Sequence, residues 1–224
     1  GPAARFVRPV DIAELERVAL AVATVADVGA ALPVLVVGRG SNLLVSDRGF
    51  GGLAIQLGMG FEEIAIDGDV VLAGGAASLP VAARLTVAGG LEGFEWAVGV
   101  PGSIGGAVRM NAGGHGSDMA TVLVSATTVD LQTGATGTRT VEDLALGYRT
   151  SAVTSAEVVV AAEFRLVVGE RSRGEEKLAE VVHWRRANQP GGHNAGSVFA
   201  NPPGDSAGQL VDAAGGRGLR IGSA

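Results

Sequence analysis

The chain contains no cysteine and only three histidines, His115, His183 and His193, far apart in sequence. The first absence excludes disulfides, thiolate nucleophiles, iron–sulfur ligation and cysteine zinc sites. The scattered histidines give no ligand cluster, so no metal is expected. Aromatic residues make up 4% of the chain, so the core must be built mainly from Ala, Val and Leu. Positive charge is also short: 17 Lys and Arg stand against 23 Asp and Glu, a net charge of −6. A nucleic-acid binder carries a basic face or stripe. None is evident, and no nucleic-acid partner is expected. Net charge does not fix local potential, so a cleft with local positive charge stays open. No apolar run reaches the ~18 residues of a membrane span. Ala19–Leu32 comes nearest and is interrupted by Asp27. No membrane insertion is expected and no secretory signal is visible.

Glycine is in excess, at 36 of 224 residues. It has no three-residue period, which excludes collagen. The densest run is Gly99–Gly116 (GVPGSIGGAVRMNAGGHG), with seven glycines in eighteen residues. Glycine accepts positive φ and close backbone approach, at a cost of about 0.5–1 kcal/mol in regular structure. A shorter companion, Gly38-Arg39-Gly40-Ser41-Asn42, follows the apolar run Pro33–Val37. Two such loops point to a large phosphate-bearing ligand held by main-chain N–H groups.

Patterning divides the chain into three units. Residues 1–60 read as a βαββ-like unit. Asp11 and Glu14 form a capping box for a helix running to about Val28-Gly29, and strands are expected at Pro33–Val37, Leu43–Val45 and Leu53–Ile55. Residues 61–169 open with a hairpin, Glu63–Asp67 and Val70–Gly74, turning at Asp67-Gly68-Asp69. A helix capped by Ser78 follows and stops at Gly89-Gly90. The glycine run comes next, and then strands over Thr121–Leu131 and Val158–Val168. Residues 170–224 hold a charged helix, Glu170–Asn188, and a short one near Ser206–Ala214.

The candidate sites carry alternatives. Gly38–Asn42 lacks the dinucleotide fingerprint, because Leu43 stands where its third glycine belongs, and it lacks the P-loop Lys-Ser/Thr. It is either a tight turn or an anion nest with Ser41 and Asn42 as added donors. Pro101–Gly106 and Asn111–Gly116 are either a close-packed crossing or a binding loop. In the latter, Ser103 donates to phosphate and Asn111 offers both a donor and an acceptor. Arg149, beside Tyr148, is either a surface side chain or a fixed fork of donors for a developing carboxylate or enolate charge. Ser197, after Gly196, is either a local cap or a hydroxyl held for proton transfer. No G-x-S-x-G elbow is present.

Several segments, in order, resemble the UDP-N-acetylenolpyruvoylglucosamine reductase family. They are Gly38–Asp47 (GRGSNLLVSD), Gly49–Gly52 (GFGG), Gly99–Gly106 (GVPGSIGG), Met110–Gly113 (MNAG), Tyr148–Ser151 (YRTS), Arg185–Pro190 (RRANQP) and Asn194–Pro202 (NAGSVFANP). The resemblance implies an α+β fold. An FAD-binding module of two subdomains (PCMH/vanillyl-alcohol-oxidase type), 1–60 and 61–169, would precede a C-terminal substrate-binding domain, 170–224, of the compact form. FAD would lie on Gly38, Arg39, Gly40, Ser41, Asn42, Pro101, Gly102, Ser103, Gly105, Gly106, Asn111 and Gly113. Arg149 and Ser197 would be catalytic, and Tyr148, Asn201 and Gln209 would contact the substrate.

The implied reaction is reduction of the enolpyruvyl ether of UDP-N-acetylglucosamine enolpyruvate to UDP-N-acetylmuramate. The hydride comes from NADPH through FAD N5 and the proton from Ser197. This is a step of peptidoglycan precursor synthesis, tied to cell wall biogenesis, cell shape and cell division, and a bacterial cytoplasmic monomer is expected. The family's third catalytic group, a C-terminal glutamate, has no counterpart here, and the chain looks truncated at both ends. The competing expectations are an FAD oxidoreductase with another acceptor, or a catalytically dead flavin- and nucleotide-sugar-binding fragment.

Overall fold

The computed structural model describes residues 1–27, 32–189, 196 and 198–222. It separates into two units, 1–188 and 189–224.

The first unit begins with β1 (Ala3–Val7) and α1 (Ile12–Asp27). Glu14 N–H donates to Asp11 Oδ1 (2.7 Å), the cap read from the sequence; the Glu14 carboxylate accepts from Val10 N–H (2.8 Å), one residue ahead of Asp11, so the reciprocal half of the expected box is not made. Leu15, Ala19 and Val22 recur at helical spacing and are the buried stripe of α1. β2 (Val34–Val36) and β3 (Phe50–Ile55) complete a parallel sheet in the order β1-β3-β2. The strand expected at Leu43–Val45 does not form. β3 is the central strand with both edges already paired, and Leu44 is left 84% exposed in a loop.

A second sheet is antiparallel. β4 (Ile64–Asp67) and β5 (Val70–Gly74) are the expected hairpin. α2 (Leu79–Ala88) follows; Ser78 occupies its N-cap position, but its side chain makes no capping bond. β6 (Leu91–Glu92) and a 3-10 turn, Glu95–Gly99, lead into the glycine run. The centre of that run is not a loop. It is a six-residue helix, α3 (Ile104–Arg109), capped by Ser103 Oγ accepting from Gly106 N–H. β7 (Gly113–Gly114) and β8 (Ser117–Asp118) form a small ribbon. β9 (Leu123–Asp130), β10 (Thr136–Thr140), α4 (Val141–Leu144) and β11 (Glu157–Arg165) complete the larger elements, and the sheet order is β10-β9-β11-β5-β4.

α1 and β3 pack on β9 and β11 through Leu15, Ile55, Phe61, Val129, Val158 and Val160, which joins the two sheets. A larger core under α2 and α3 centres on Leu79, Phe94, Ile104, Met119 and Phe164. β12 (Val167–Val168) pairs with β6. α5 (Arg171–Asn188) then packs back on the first unit. Gly174 of α5 sits so close to Val87 that a Cβ there would lie 2.8 Å from it. Lys177 Nζ donates to Glu95 (3.1 Å) and Glu92 (3.3 Å). α5 thus belongs with the first unit, to which packing and charge bind it. The second unit contains α6 (Ala207–Ala213), capped by Ser206, and buries none of that helix's residues.

Candidate functional site

The three parallel strands all run toward one edge, and the residues just past their ends meet there: Arg8 after β1, Gly38 and Arg39 after β2, and Gln56 after β3. Ligands bind outside the carboxyl ends of parallel strands. In this chain that edge opens on a cavity of about 860 Å³. Its far wall is α3 (Ser103, Gly105, Gly106, Arg109) together with Thr154, Ser155 and Val159 beside β11. The volume falls in the range of ~300–1,000 Å³ typical of cofactor clefts.

Glycine acts differently on the two walls. A Cβ at Gly105 would lie 2.9 Å from the Val159 carbonyl and 3.1 Å from that of Gly75, so Gly105 exists for a close crossing of α3 over backbone. A Cβ at Gly38 would meet Ser103 Oγ at 2.6 Å, so Gly38 lets the two walls touch. They are also linked by a bond, Ser41 Oγ donating to the Pro101 carbonyl (3.0 Å).

The donors differ more. At the start of α3, Ile104 N–H donates to Ala77 O, Gly105 N–H to Gly75 O (both 2.9 Å), and Gly106 N–H to Ser103 Oγ (3.4 Å). None of these is left for a ligand. Among the described residues, no protein acceptor takes the main-chain N–H groups of residues 38–42, and Gly40 adopts φ +74°. Gln56 holds that loop by donating to Gly38 O (2.8 Å), and Arg8 in turn donates to Gln56 Oε1. Arg8, Arg39 and Arg109 face the cavity against Glu62 and Glu157, and Glu157 is already paired with Arg139 at 2.9 Å. The local charge is positive in a chain whose net charge is −6. Main-chain N–H donors without protein partners, beside arginines, are the kind of group that suits an anion.

Gly38, Arg39, Ser103, Gly105 and Gly106 thus line the cavity, whereas Gly40, Ser41, Asn42, Pro101, Gly102, Asn111 and Gly113 do not form its wall. Asn111 is 4% exposed, and both polar atoms of its amide bond to protein, so it offers nothing to a ligand. Tyr148 and Arg149 are exposed in a tight turn, Gly147–Thr150. Arg149 has φ +57°, and its Nη2 donates to Gly113 O (3.1 Å) while the guanidinium lies 5.3 Å from the Tyr148 ring centroid. Ser197 lies outside the described residues. In the second unit, Asn201 Oδ1 accepts from Ala207 N–H (3.0 Å) at the start of α6, and Gln209 is exposed on that helix. Sequence reasoning missed Arg8, Gln56, Met59, Glu62, Thr154 and Ser155 and gave Arg109 no part in a site; the signal for Arg8 and Gln56 was their place just past strands of one parallel sheet.

Residues 3–139 match the FAD binding domain family, and residues 188–224 match the C-terminal domain of UDP-N-acetylenolpyruvoylglucosamine reductase. The UDP-N-acetylenolpyruvoylglucosamine reductase of Azorhizobium caulinodans is 40% identical over 225 residues, covering 100% of this chain and 71% of that protein. The crystal structure of the reductase from Thermus caldophilus superposes with a TM-score of 0.82 at 33% identity, over 97% of this chain and 75% of that one. Berberine bridge enzyme shares the fold alone, with a TM-score of 0.55 at 19% identity over 74% of this chain and 34% of that one.

Parallel and antiparallel sheets enclosing a positively charged cleft, followed by a separate C-terminal domain, define an FAD-dependent oxidoreductase with the PCMH/vanillyl-alcohol-oxidase type of flavin module. Its family is specific. The chain belongs to the UDP-N-acetylenolpyruvoylglucosamine reductases, flavoenzymes that use FAD and NADPH in cell-wall precursor synthesis. It spans 71% of the length of the Azorhizobium relative. No helix among the described residues is long and apolar enough to cross a membrane.

Proposed function

We propose that the chain reduces the enolpyruvyl double bond of UDP-N-acetylglucosamine enolpyruvate, giving UDP-N-acetylmuramate. One observation carries the cofactor side of this reading: the cavity at the strand ends has Gly38, Arg39, Leu43 and Arg109 on its walls, and the N–H groups of the loop 38–42, which joins those wall residues, have no protein acceptor among the described residues. That donor set fits a dianionic diphosphate, and the volume fits a dinucleotide. Bound FAD supplies a two-electron carrier between NADPH and the substrate. In the net reaction the terminal vinyl carbon gains a hydride, the adjacent carbon gains a proton, and NADPH is oxidised to NADP⁺.

The chain's own residues hold charge and proton. Negative charge develops toward the substrate carboxylate as the hydride adds. The Arg149 guanidinium has donors beyond the one given to Gly113, so it can hold that carboxylate. Ser197 donates the proton to the adjacent carbon; a neutral hydroxyl suffices because the enolate-like species is strongly basic. Tyr148, Asn201 and Gln209 contact the nucleotide sugar. A monomer working in the bacterial cytoplasm, where nucleotide sugars and NADPH are available, completes the reading.

The test is anaerobic. FAD-loaded protein is bleached with NADPH and then mixed with UDP-N-acetylglucosamine enolpyruvate. Return of the flavin absorbance supports the reading, and a flavin that stays reduced contradicts it. Ser197→Ala should keep the bleaching step and slow the return by about 10²-fold or more. An unchanged return would remove the serine from its role.

A further inference from the structure

Two segments far apart in sequence, 109–113 and 147–151, are joined by three side-chain hydrogen bonds. Asn111 Nδ2 donates to Gly147 O (3.0 Å), Arg149 Nη2 to Gly113 O (3.1 Å), and Ser151 Oγ to Arg109 O (2.7 Å). The first two are reciprocal: each side chain grips the other segment's backbone. Asn111 is buried and held on its own side. Its Oδ1 accepts from Ala120 N–H (3.1 Å), and its Nδ2 also reaches Asp118 Oδ2 (3.2 Å). These contacts fix which end of the amide faces Gly147. Asn111 takes φ +39°, which asparagine tolerates, and Arg149 takes φ +57°, a region that a residue of its kind adopts rarely and at an energetic cost.

We propose that Asn111 is a positioning residue that sets Arg149 before the substrate arrives. The inference rests on the reading of Arg149 as the holder of the substrate carboxylate. The Gly147–Thr150 turn is exposed, and its own two backbone bonds do not fix where it points. Asn111 anchors the first residue of that turn to the segment that continues α3. α3 is also a wall of the flavin cavity. The residue that holds the carboxylate and the seat of the cofactor are thereby referred to one short helix. A guanidinium displaced by an ångström weakens attraction to a developing charge far more than it alters resting structure.

The test compares FAD-loaded wild type, Asn111→Ala, Arg149→Ala and the double variant in the two half-reactions. Asn111→Ala should slow flavin reoxidation by substrate about tenfold or more while NADPH reduction stays within about twofold. In the Arg149→Ala background it should cause no further loss. Reoxidation at the wild-type rate, equal slowing of both half-reactions, or losses that add in the double variant would each overturn the proposal. Should Asn111→Ala yield no folded holoenzyme, Ser151→Ala decides: a smaller slowing confined to reoxidation supports the clasp, and no change contradicts it. Arg149→Ala reoxidising like wild type is a different failure, that of the underlying reading, and is told apart because it does not involve Asn111.

Discussion

Gly38–Asn42 and Gly102–Gly106 have nearly the same composition, each two or three glycines with a serine, and they meet across one cavity. Their chemistry differs. Among the described residues the first leaves its N–H groups without protein acceptors, while the second turns into helix and gives its N–H groups to Ala77, Gly75 and Ser103. Glycine in the first serves a left-handed turn at Gly40; glycine in the second serves contact between α3 and the backbone of Gly75 and Val159. Glycine density therefore marks backbone under geometric demand, and only the fate of the N–H groups says whether the demand comes from a ligand or from packing.

That difference is most easily broken at Gly105. Gly105→Val places a branched side chain against two carbonyls that cannot retreat. It should cost about 3 kcal/mol and lower Tm by about 6–12 °C in thermal unfolding of the cofactor-free protein. On the charged side of the cavity, Arg109→Ala should weaken FAD by about 10- to 100-fold in a fluorescence titration, since one charge-assisted bond contributes about 1.5–3 kcal/mol. The loss should shrink at high salt, and the Tm without FAD should stay unchanged. Ser41→Ala removes the bond between the loops and should cost about 1 kcal/mol, or about 2–4 °C in Tm.

The smallest effect is the pH dependence of the α5 contact. Donation to Glu95, and then to Glu92, raises the Lys177 pKa above the ordinary lysine value despite some desolvation; the bond from Lys177, helped by Arg173, lowers the Glu92 pKa below the ordinary glutamate value. The Glu92 contribution is complete above the ordinary glutamate range and is lost as pH falls through its lowered pKa. The Lys177 contribution is complete below the ordinary lysine range and is lost as pH rises through its raised pKa. Tm against pH should therefore fall at both extremes, and Glu92→Gln should remove its share of the acid limb and also soften the alkaline limb, where Glu95 still holds Lys177.

Local signals carried much of the fold. The Asp11 cap, the β4–β5 hairpin, α2, β9 and most of β11 follow from caps, turn residues and periodicity, although the strand expected over Val158–Val168 breaks after Arg165 and its end, β12, pairs with β6 instead. α3 was illegible because adjacent glycines at 105 and 106 argue against helix by propensity, and the contact that requires Gly105 is with residues about thirty and fifty positions away. Leu43–Val45 read as strand because its apolar run says nothing about whether a sheet edge is free. The packing of α5 was not legible because a shift to charged composition marks a solvated helix, whereas Gly174 and Lys177 decide what that helix packs on. At the site, the motif-bearing loops were visible, but the wall from Arg8 and Gln56 depends on parallel register. The link from Asn111 to Gly147 spans 36 residues and has no local signature.

The central claim is that the cofactor's diphosphate is held by the N–H groups of residues 38–42 and not by those that open α3. Amide hydrogen exchange with and without FAD tests it directly. The account predicts that 104–106 are protected in both states and that 39–42 become protected only when FAD binds. Protection that appears on FAD binding at 104–106, with 39–42 unchanged, would contradict it.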